Sequence, residues 1–433
     1  MKMKDFEVVL LKHPYPQTLS VAGALSCFKQ EPSYQIMEEL LALPEYIRLK
    51  EERVLKKSLG RGHGSVGDQN CFFFSIKDLP RAVTFQLCLL EYLVHLQQSL
   101  RRTTASRGFY LPEVIKKSEY VEKTKEILSQ SFRLYNEMQR GGIPGEDARF
   151  LLPLYTKTNI QTGGDARELC HLRAMSQDEM VPSVVHQVVE EMISKAGELA
   201  PSLFKNFGFN YERLAWRPAA QLYSKDNGLF RWVSNTVTLI SSNAQVMSEL
   251  VSEEMIDRAI KERNEADLSV LKHIDFEFVV PISLVSLHQL IRQRTLHLAV
   301  ESIYRAVERN EIVVPPSIIR SPTFFSLYQE QYRGMMAHYQ DLLKAGIPPQ
   351  EAIGVIPHSL KTWAMIRVDG WNVIHFIGKR TCIAAQWEIR EIAEQIASII
   401  IREFPALGKW AAPQCITYGE CPEKGDCGYY RNV

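Results

Sequence analysis

Arginine, glutamine and serine side chains occur in two clusters of this sequence at spacings that could bind an anionic ligand. In one cluster, Gln289, Arg292 and Gln293 follow an i, i+3, i+4 pattern. In the helix predicted over 282–306 they share one face, and Arg294 lies directly beside it. Guanidinium and amide groups next to apolar surface can hold a phosphate or a carbonyl-rich ring. A salt-bridge cluster at an interface would give the same pattern, so both interpretations stay open.

The other cluster comprises Gln97, Ser99 and Arg101, at the end of a helix predicted over 81–102. An amide, a hydroxyl and a guanidinium in this arrangement can bind a nucleotide. An ordinary polar helix end would look the same. Further candidates follow along the chain, although a lone histidine is more often structural than catalytic: Arg149, Arg167, His171 and Arg380.

These clusters lie in two copies of one sequence pattern. Residues 141–158 read GGIPGEDARFLLPLYTKT, and residues 345–362, at an offset of 204, read AGIPPQEAIGVIPHSLKT. Several other pairs keep this offset, or keep it after a one-residue slip: Tyr135 and Tyr339, His171 and His375, Phe72 and Phe276, Gln86 and Gln289, Ser99 and Ser302. The repeat is far longer than the roughly 20–50 residues of solenoids. We therefore predict two homologous domains, at 1–206 and 207–433.

The same order of elements is predicted in each copy. Alternating apolar residues at 71–76 and 273–280 are typical of strands. Predicted helices follow at 81–102 and 282–306, at 118–140 and 323–345, where GGIP and AGIP end the helix, and at 180–199 and 383–403. The aromatic residues of 207–245 indicate an ordered crossing between the copies. The predicted fold class is α+β, with a small sheet and long helices in each domain.

The composition is that of a soluble globular protein. Of 433 residues, 45% are hydrophobic and 23% charged, and no stretch has the ~20 apolar residues that a bilayer requires. A formal net charge of +1 gives no general reason to bind nucleic acid or membrane. The first residues resemble no signal peptide, so we expect a cytoplasmic location.

The eight cysteines fall into two sets. Five are scattered and are expected to be reduced thiols: Cys27, Cys71, Cys88, Cys170 and Cys382. Cys415, Cys421 and Cys427 are clustered near the end of the sequence, without a CxxC pair or a nearby histidine. Either a structural zinc site or a reduced tail packed on the domain would account for them, and we expect no other metal.

Longer motifs resemble those of flavin-dependent thymidylate synthases. The most specific is KRTCIAAQWEIR at 379–390, which contains Arg380, and DARELCH at 165–171 is similar to a second family segment. The family motif Arg-His-Arg-x-x-Ser-x-Asn-Glu-x-Ser-x-Arg-Tyr is divided between the copies. The first copy keeps the serine and arginine as Ser99 and Arg101, and the second keeps Arg292-Gln293-Arg294. The resemblance covers most of 60–200 and 265–430.

The departures from the family pattern are complementary. The first copy has Leu89, Leu90 and Glu91 in place of Arg-His-Arg, and it has Pro182 where the second copy has Gln386. In the second copy, Tyr304, Ile353 and Trp371 replace the motif's last arginine and the counterparts of Arg149 and Arg167. Since family members are tetramers with sites shared between subunits, the resemblance implies a homodimer of tandem copies, a pseudo-tetramer with composite sites.

The resemblance also implies an activity. It is the reductive methylation of dUMP to dTMP, with bound FAD and with methylenetetrahydrofolate and NADPH as co-substrates. Implied dUMP-binding residues are Gln86, Gln97, Ser99, Arg101, Arg149 and Arg380, of which Ser99 and Arg380 are the catalytic candidates. Because no base stands near Ser99 in the sequence, we expect it to bind and not to act as a nucleophile. Implied FAD-binding residues are Ser65, Arg167, His171, Arg292, Gln293 and Arg294.

Two other hypotheses remain. The substituted arginines would also fit a descendant that binds nucleotide or flavin without catalysis. Gln97 stands where the family has an acid, which removes a charge beside the ligand and would fit C5-methylation of another pyrimidine nucleotide. The fold does not distinguish these hypotheses, because function depends on the site.

Overall fold

A computed structural model describes residues 5–11, 14–42, 44–61, 64–210, 218–225, 228–230, 234–421 and 427. The strands are β1 Glu7–Leu11, β2 Phe72–Pro80, β3 Val94–Gln97, β4 Lys157–Gly164, β5 Thr238–Ser242, β6 Asp275–Ser283, β7 His297–Val300 and β8 Lys361–Asp369. The helices up to the middle of the chain are α1 Pro16–Ser26, α2 Ser33–Leu41, α3 Pro44–Lys57, α4 Arg81–Cys88, α5 Glu113–Lys116, α6 Val121–Arg140, α7 Gly145–Ala148, α8 Ala166–Ser176, α9 Ser183–Leu199 and α10 Pro201–Asn210. The later helices are α11 Ala244–Met247, α12 Glu253–Glu262, α13 Glu265–Leu271, α14 Leu284–Leu290, α15 Ile303–Arg309, α16 Pro316–Ile319, α17 Pro322–Lys344, α18 Pro349–Ala352, α19 Gly370–Arg380, α20 Trp387–Glu403 and α21 Gln414–Thr417.

The chain forms two compact units. The first unit comprises residues 1–225 and 315–358, and the second comprises 226–314 and 359–433. The segment 315–358, which contains the long helix α17 of the second sequence copy, thus packs with the first copy. The compact units therefore differ from the predicted sequence domains, whose boundary at 206/207 stays a prediction.

Each unit contains a four-stranded antiparallel sheet with the same order. The first sheet is β1-β2-β4-β3 and the second is β5-β6-β8-β7. In β2 the predicted alternation is present, because Phe72, Phe74 and Ile76 are buried and the residues between them are more exposed. These small sheets with their helices confirm the predicted α+β class.

A β-bulge in β2 explains the one-residue slip between the two sequence copies. The register of β2 with β4 shifts by one residue between Ile76 and Leu79, whereas β6 pairs with β8 without a shift. Asp78 takes a left-handed φ of 57°. Its N–H donates to Oδ1 of Asn159 at 3.1 Å, so the extra backbone donor is satisfied. The first copy thus accommodates one additional residue within β2.

The predicted helices at 81–102 and 282–306 are wrong in their second halves. α4 ends at Cys88, and the chain returns as β3 at the edge of the first sheet. Likewise α14 ends at Leu290, β7 pairs with β8, and α15 follows. A long apolar run without Gly or Pro fits a buried helix or a sheet edge equally well. Ladder hydrogen bonds to β4 and β8 stabilise the strand in both copies.

The long helices α6 and α17 confirm the predictions at 118–140 and 323–345. Each ends at a glycine in the left-handed conformation, Gly142 with φ 88° and Gly346 with φ 81°. The next N–H groups, of Ile143 and Ile347, donate back to Met138 and Leu342. The helices predicted at 180–199 and 383–403 are present as α9 and α20. Of the predicted crossing, 211–217, 226–227 and 231–233 lie outside the described residues.

A local two-fold relation joins the two copies inside the first unit. The N–H of Leu154 donates to the carbonyl of Ile356 at 3.0 Å, and the N–H of His358 donates to the carbonyl of Leu152 at 3.0 Å. The donors are equivalent positions of the repeat, and so are the acceptors. Nearby, α6 packs against α17, and Oγ1 of Thr124 lies 2.8 Å from Nε2 of His338. The duplication therefore provides an internal interface between equivalent segments.

Gly354 belongs to this interface, and replacing it should destabilise the first unit. A Cβ at Gly354 would lie 2.0 Å from a ring carbon of Tyr155. That ring is fully buried, and its hydroxyl donates to the carbonyl of Glu351 at 2.6 Å. Gly354→Ala should therefore lower the free energy of unfolding by about 3 kcal/mol, the upper part of the range for overpacked cores. Urea unfolding would measure the loss.

The matched control is Gly334→Ala, on an exposed position of α17 with no heavy atom within 4 Å of its new Cβ. Alanine should stabilise this helix by up to ~1 kcal/mol. Equal unfolding midpoints for Gly354→Ala and the wild-type protein would contradict the close approach of Tyr155.

Candidate functional site

The structure brings together two of the predicted nucleotide-binding arginines. Nε of Arg101 lies 2.6 Å from Oε2 of Glu146, and Nε of Arg149 donates to the carbonyl of Glu146 at 3.0 Å. Arg149 begins a 3₁₀ turn after α7 and is 8% exposed, whereas Arg101 lies in the loop after β3 and is more accessible. The two guanidinium groups lie close together, and a phosphate that displaced the Glu146 carboxylate from Arg101 could bind both.

The polar residues of the first cluster lie on a strand end and a loop, not on the predicted helix. Gln97 is the last residue of β3, and its amide donates to Oγ1 of Thr84 in α4 at 3.2 Å. Oγ of Ser99 accepts the N–H of Arg101 at 3.3 Å. The end of β3 therefore positions the loop that carries Ser99 and Arg101. The sequence had predicted that a helix would carry these residues.

Gln86 is fully buried in α4, and among the described residues its amide has no hydrogen-bond partner. The second copy shows why the amide of Gln86 lacks a partner. Its counterpart Gln289 donates to Oε1 of Gln386 at 3.3 Å. In the first copy Pro182 takes the place of Gln386 and has no amide. A buried amide without a partner is costly, so a ligand that satisfied Gln86 would gain affinity.

A second group of predicted residues lies at the start of α8. Nη1 of Arg167 is 3.2 Å from Oδ2 of Asp68, three residues after Ser65, which is exposed. His171 is buried one turn further along α8, with Nδ1 3.6 Å from Oε1 of Glu168. Burial raises the pKa of Asp165 to about 6, although its side chain caps α8. Arg167 and His171 thus lie one turn apart on α8, with Ser65 three residues before the partner of Arg167, and their role in binding FAD stays a prediction.

In the second unit, Arg380 lies beside Gln289 and Gln386. Nη2 of Arg380 donates to the carbonyl of Gln289 at 3.0 Å. The side chain of Gln386 caps α20 by accepting the N–H of Ile389 at 3.3 Å. The AQWEIR segment thus connects the predicted catalytic arginine to the end of α14.

The predicted helical face of Gln289, Arg292 and Gln293 is wrong, because α14 ends at Leu290. Arg292 and Arg294 are exposed in the turn between α14 and β7, and Gln293 is half-buried with its amide donating to Oγ1 of Thr295 at 3.3 Å. An exposed turn with two arginines can still contact a ligand. Its geometry would be set by the turn and not by a helix.

Sequence reasoning missed a buried polar network around Glu388. Its two carboxylate oxygens accept hydrogen bonds from the N–H and the hydroxyl of Ser283, at 2.6 and 2.5 Å. They also accept one from the hydroxyl of Ser286, at 2.6 Å. Burial raises the pKa of this carboxyl, while the serine hydrogen bonds lower it. The network fixes the start of α14 against α20 and so helps to position Gln289. The equivalent residues of the first copy are the apolar Pro80, Val83 and Val184. A comparison of the two copies could therefore have revealed this network.

Cys382 is a neighbour of Cys415, which the sequence did not suggest. Burial raises the pKa of the Cys415 thiol, and the thiols of Cys382, Cys421 and Cys427 raise it further. Within the described part of the chain, no three or more His, Cys, Asp and Glu side chains are placed to hold a metal ion. Residues 422–426 and 428–433 lie outside that part, so the zinc alternative stays a prediction. In the same described residues no helix is long and apolar enough to cross a membrane.

Two sheets of equal strand order, with an arginine-bearing loop after β3 in the first and an arginine-bearing turn before β7 in the second, define a tandem α+β protein. The profile of the thymidylate synthase complementing protein family matches this chain twice, over residues 9–202 and 210–406. The chain belongs to that family.

Individual relatives agree with the family assignment. The flavin-dependent thymidylate synthase of Geobacter sulfurreducens is 32% identical over 165 residues, which cover 37% of this chain and 71% of the relative. That of Thermococcus onnurineus is 28% identical over 165 residues, covering 36% and 67%. Among solved structures, the UMP/dUMP methylase PolB from Streptomyces cacaoi bound with 5-Br dUMP covers 47% of this chain and 94% of its own, with 17% identity and a TM-score of 0.40.

Proposed function

We propose that this chain is a flavin-dependent thymidylate synthase, an enzyme that methylates C5 of dUMP to give dTMP. Methylenetetrahydrofolate would supply the carbon and NADPH the reducing equivalents. Family membership supports the reaction class. The observation that carries the nucleotide substrate is the placement of Arg101 and Arg149 around Glu146, since two guanidinium groups suit a phosphate monoester.

In this proposal the nucleotide is held mainly by residues of the first copy. Arg101 and Arg149 bind the phosphate, and the strand end of Gln97 and the loop of Ser99 set the position of the pyrimidine. The buried amide of Gln86 lacks a hydrogen-bond partner among the described residues and would gain one. Arg380 polarises the pyrimidine, so Ser99 and Arg380 are the proposed catalytic residues. These roles are positional and electrostatic.

The donors proposed for FAD fit that cofactor chemically. Arg292 and Arg294 are exposed on one turn with Gln293, and together they offer cationic and amide donors to phosphate and ring carbonyl oxygens. Near the start of α8, Ser65 and Arg167 offer a hydroxyl and a guanidinium, and the buried imidazole of His171 lies one turn further along. FAD, when bound, supplies hydride transfer. The chain's own residues bind and orient it.

We also propose that two chains associate as a homodimer, so that four family domains form a pseudo-tetramer with composite sites. The losses in the two copies are complementary: the first lacks Arg-His-Arg and the second lacks the motif's last arginine. Closed symmetric assemblies of two chains are the commonest oligomers. A monomer at micromolar concentration in light scattering would contradict this part of the proposal.

The test is the absorption spectrum of the purified protein, followed by a turnover assay. We expect bound flavin, and conversion of dUMP to dTMP that requires methylenetetrahydrofolate and NADPH. Flavin without turnover would favour the non-catalytic alternative, and turnover of UMP but not dUMP would favour another pyrimidine nucleotide. Absence of both flavin and turnover would overturn the proposal.

A further inference from the structure

Arg81 is a buried cation that none of the assigned roles uses. It is the first residue of α4, directly after β2, and is 7% exposed. Its Nε lies 3.2 Å from Nε2 of His358, which is 277 residues away in the sequence. Among the described residues, its Nη1 has no hydrogen-bond partner. The side chain therefore presents an unsatisfied donor in a site from which water is largely excluded.

His358 orients this guanidinium but does not neutralise it. Nδ1 of His358 lies 2.6 Å from the carbonyl of Leu152, and because a carbonyl only accepts, Nδ1 carries the proton. Nε2 then has its lone pair and accepts from Arg81. Burial and the charge of Arg81 lower the pKa of His358 to about 3, so the ring is neutral at physiological pH. It is a fixed hydrogen-bond acceptor and not a counter-ion.

The charge next to Arg81 is of the same sign. Burial, together with the charge of Arg149, lowers the pKa of Arg81 to about 9. The two guanidinium groups therefore lie within electrostatic reach of each other. Among the described residues, the thiol of Cys88 opposes this shift, by less than burial or Arg149 contributes. The carboxylate of Glu146 is engaged by the more exposed Arg101. Burying like charges together is costly unless an anion compensates them.

The Arg81–His358 pair occurs at only one of the two equivalent places in the repeat. The repeat equivalents of Arg81 and His358 are Leu284 and Leu154, after the slip at the bulge is taken into account. One place therefore has a cation and its acceptor where the other has two leucines, and the cation lies in the copy that carries Arg101 and Arg149. The other place packs buried leucines at both positions, so packing alone does not require a charge here.

We propose that Arg81 is a second buried phosphate-binding residue of the nucleotide site, oriented by His358 and acting with Arg149 on the 5′-phosphate of the pyrimidine nucleotide. This inference rests on the proposed function. With Nε of Arg81 committed to His358, the N–H groups of Nη1 have no partner among the described residues and suit phosphate oxygens. The diphosphate of FAD has the same chemistry, and the experiment separates the two sources.

The experiment compares Arg81→Gln with the wild-type protein in titrations with dUMP, deoxyuridine and FAD. We expect the Kd for dUMP to rise at least about tenfold, while that for deoxyuridine, which has no phosphate, stays the same. A merely structural residue would weaken both ligands together. The control is Arg173→Gln, which removes a surface arginine paired with Glu190. It should change neither the Kd for dUMP nor the Kd for deoxyuridine.

Two further variants keep the proposal testable if Arg81→Gln does not fold. Arg81→Lys keeps the charge but loses the fork, and His358→Phe keeps a ring but removes the acceptor. Both should reduce the preference for dUMP over deoxyuridine, by less than Arg81→Gln does. An unchanged preference in the folded variants would overturn the proposal, as would weaker FAD binding with unchanged dUMP binding.

The proposed function can fail separately. If the wild-type protein binds no dUMP but binds inorganic phosphate in a manner that Arg81→Gln abolishes, the buried anion site is supported and the substrate is another phosphate ester. If it binds neither dUMP nor inorganic phosphate, both the proposed function and this inference are wrong.

Discussion

Chains carrying Arg101→Ala or Arg380→Ala should each lose dUMP methylation, and mixing the two should restore part of it. Each arginine makes a charged contact with the same nucleotide in the proposed site, so either loss should lower activity roughly tenfold or more. If a site takes Arg101 from one chain and Arg380 from the other, a mixed dimer has one intact site and one doubly damaged site. It then recovers up to about half the activity of a wild-type dimer.

Co-expression of the two chains with different tags, followed by purification of the mixed dimer, measures this directly. Free exchange between the two variants would yield about a quarter of wild-type activity, since about half of the dimers are mixed. Arg173→Ala, on the exposed surface beside Glu190, is the matched control and should stay active alone. If the mixed dimer is as inactive as its parents, both arginines serve the site from one chain. A single variant near wild-type activity would refute the shared site.

Arg292→Ala should release flavin while Arg101→Ala retains it. Arg292 is exposed in the turn between α14 and β7, and removing a charged hydrogen bond to a phosphate or ring carbonyl should weaken FAD about tenfold or more. Arg101 is held at Glu146 in the first unit and is assigned to the nucleotide. The ratio of flavin to protein absorbance after gel filtration gives the retained fraction.

Arg367→Ala provides the control for this comparison. Arg367 lies on β8, exposed and paired with Asp275, so its loss should leave the flavin content unchanged. Equal flavin loss in Arg292→Ala and Arg101→Ala would show that the division of ligands between the copies is wrong.

Elements with strong local signals could be predicted from the sequence. The alternation around Phe72 and Phe276 gave the central strands, and the glycines at 142 and 346 gave the ends of the long helices. The end of α4 could not be predicted in this way. Its apolar run continues through the residues that form β3, and only pairing with β4 decides between helix and strand.

Part of the candidate site was also accessible from the sequence. The motif remnants led to Arg101 and Arg149, which the structure places around one residue. Arg81 and His358 were missed because no motif contains them and only the fold brings them together. A comparison of the copies would have found them, since a cation and an imidazole stand where the other copy has leucines.

The reciprocal hydrogen bonds between Leu154 and Ile356 and between His358 and Leu152 have an evolutionary consequence. In an interface between two identical chains, every substitution appears on both sides of the axis. An arginine and a histidine introduced there would come as two pairs, with two buried charges near the axis. Covalent linkage of the copies removes this constraint and keeps the partners together at any dilution. One of the two equivalent positions can then become cationic while the other stays aliphatic. Duplication therefore allows two surfaces with different binding properties to arise from one ancestral surface.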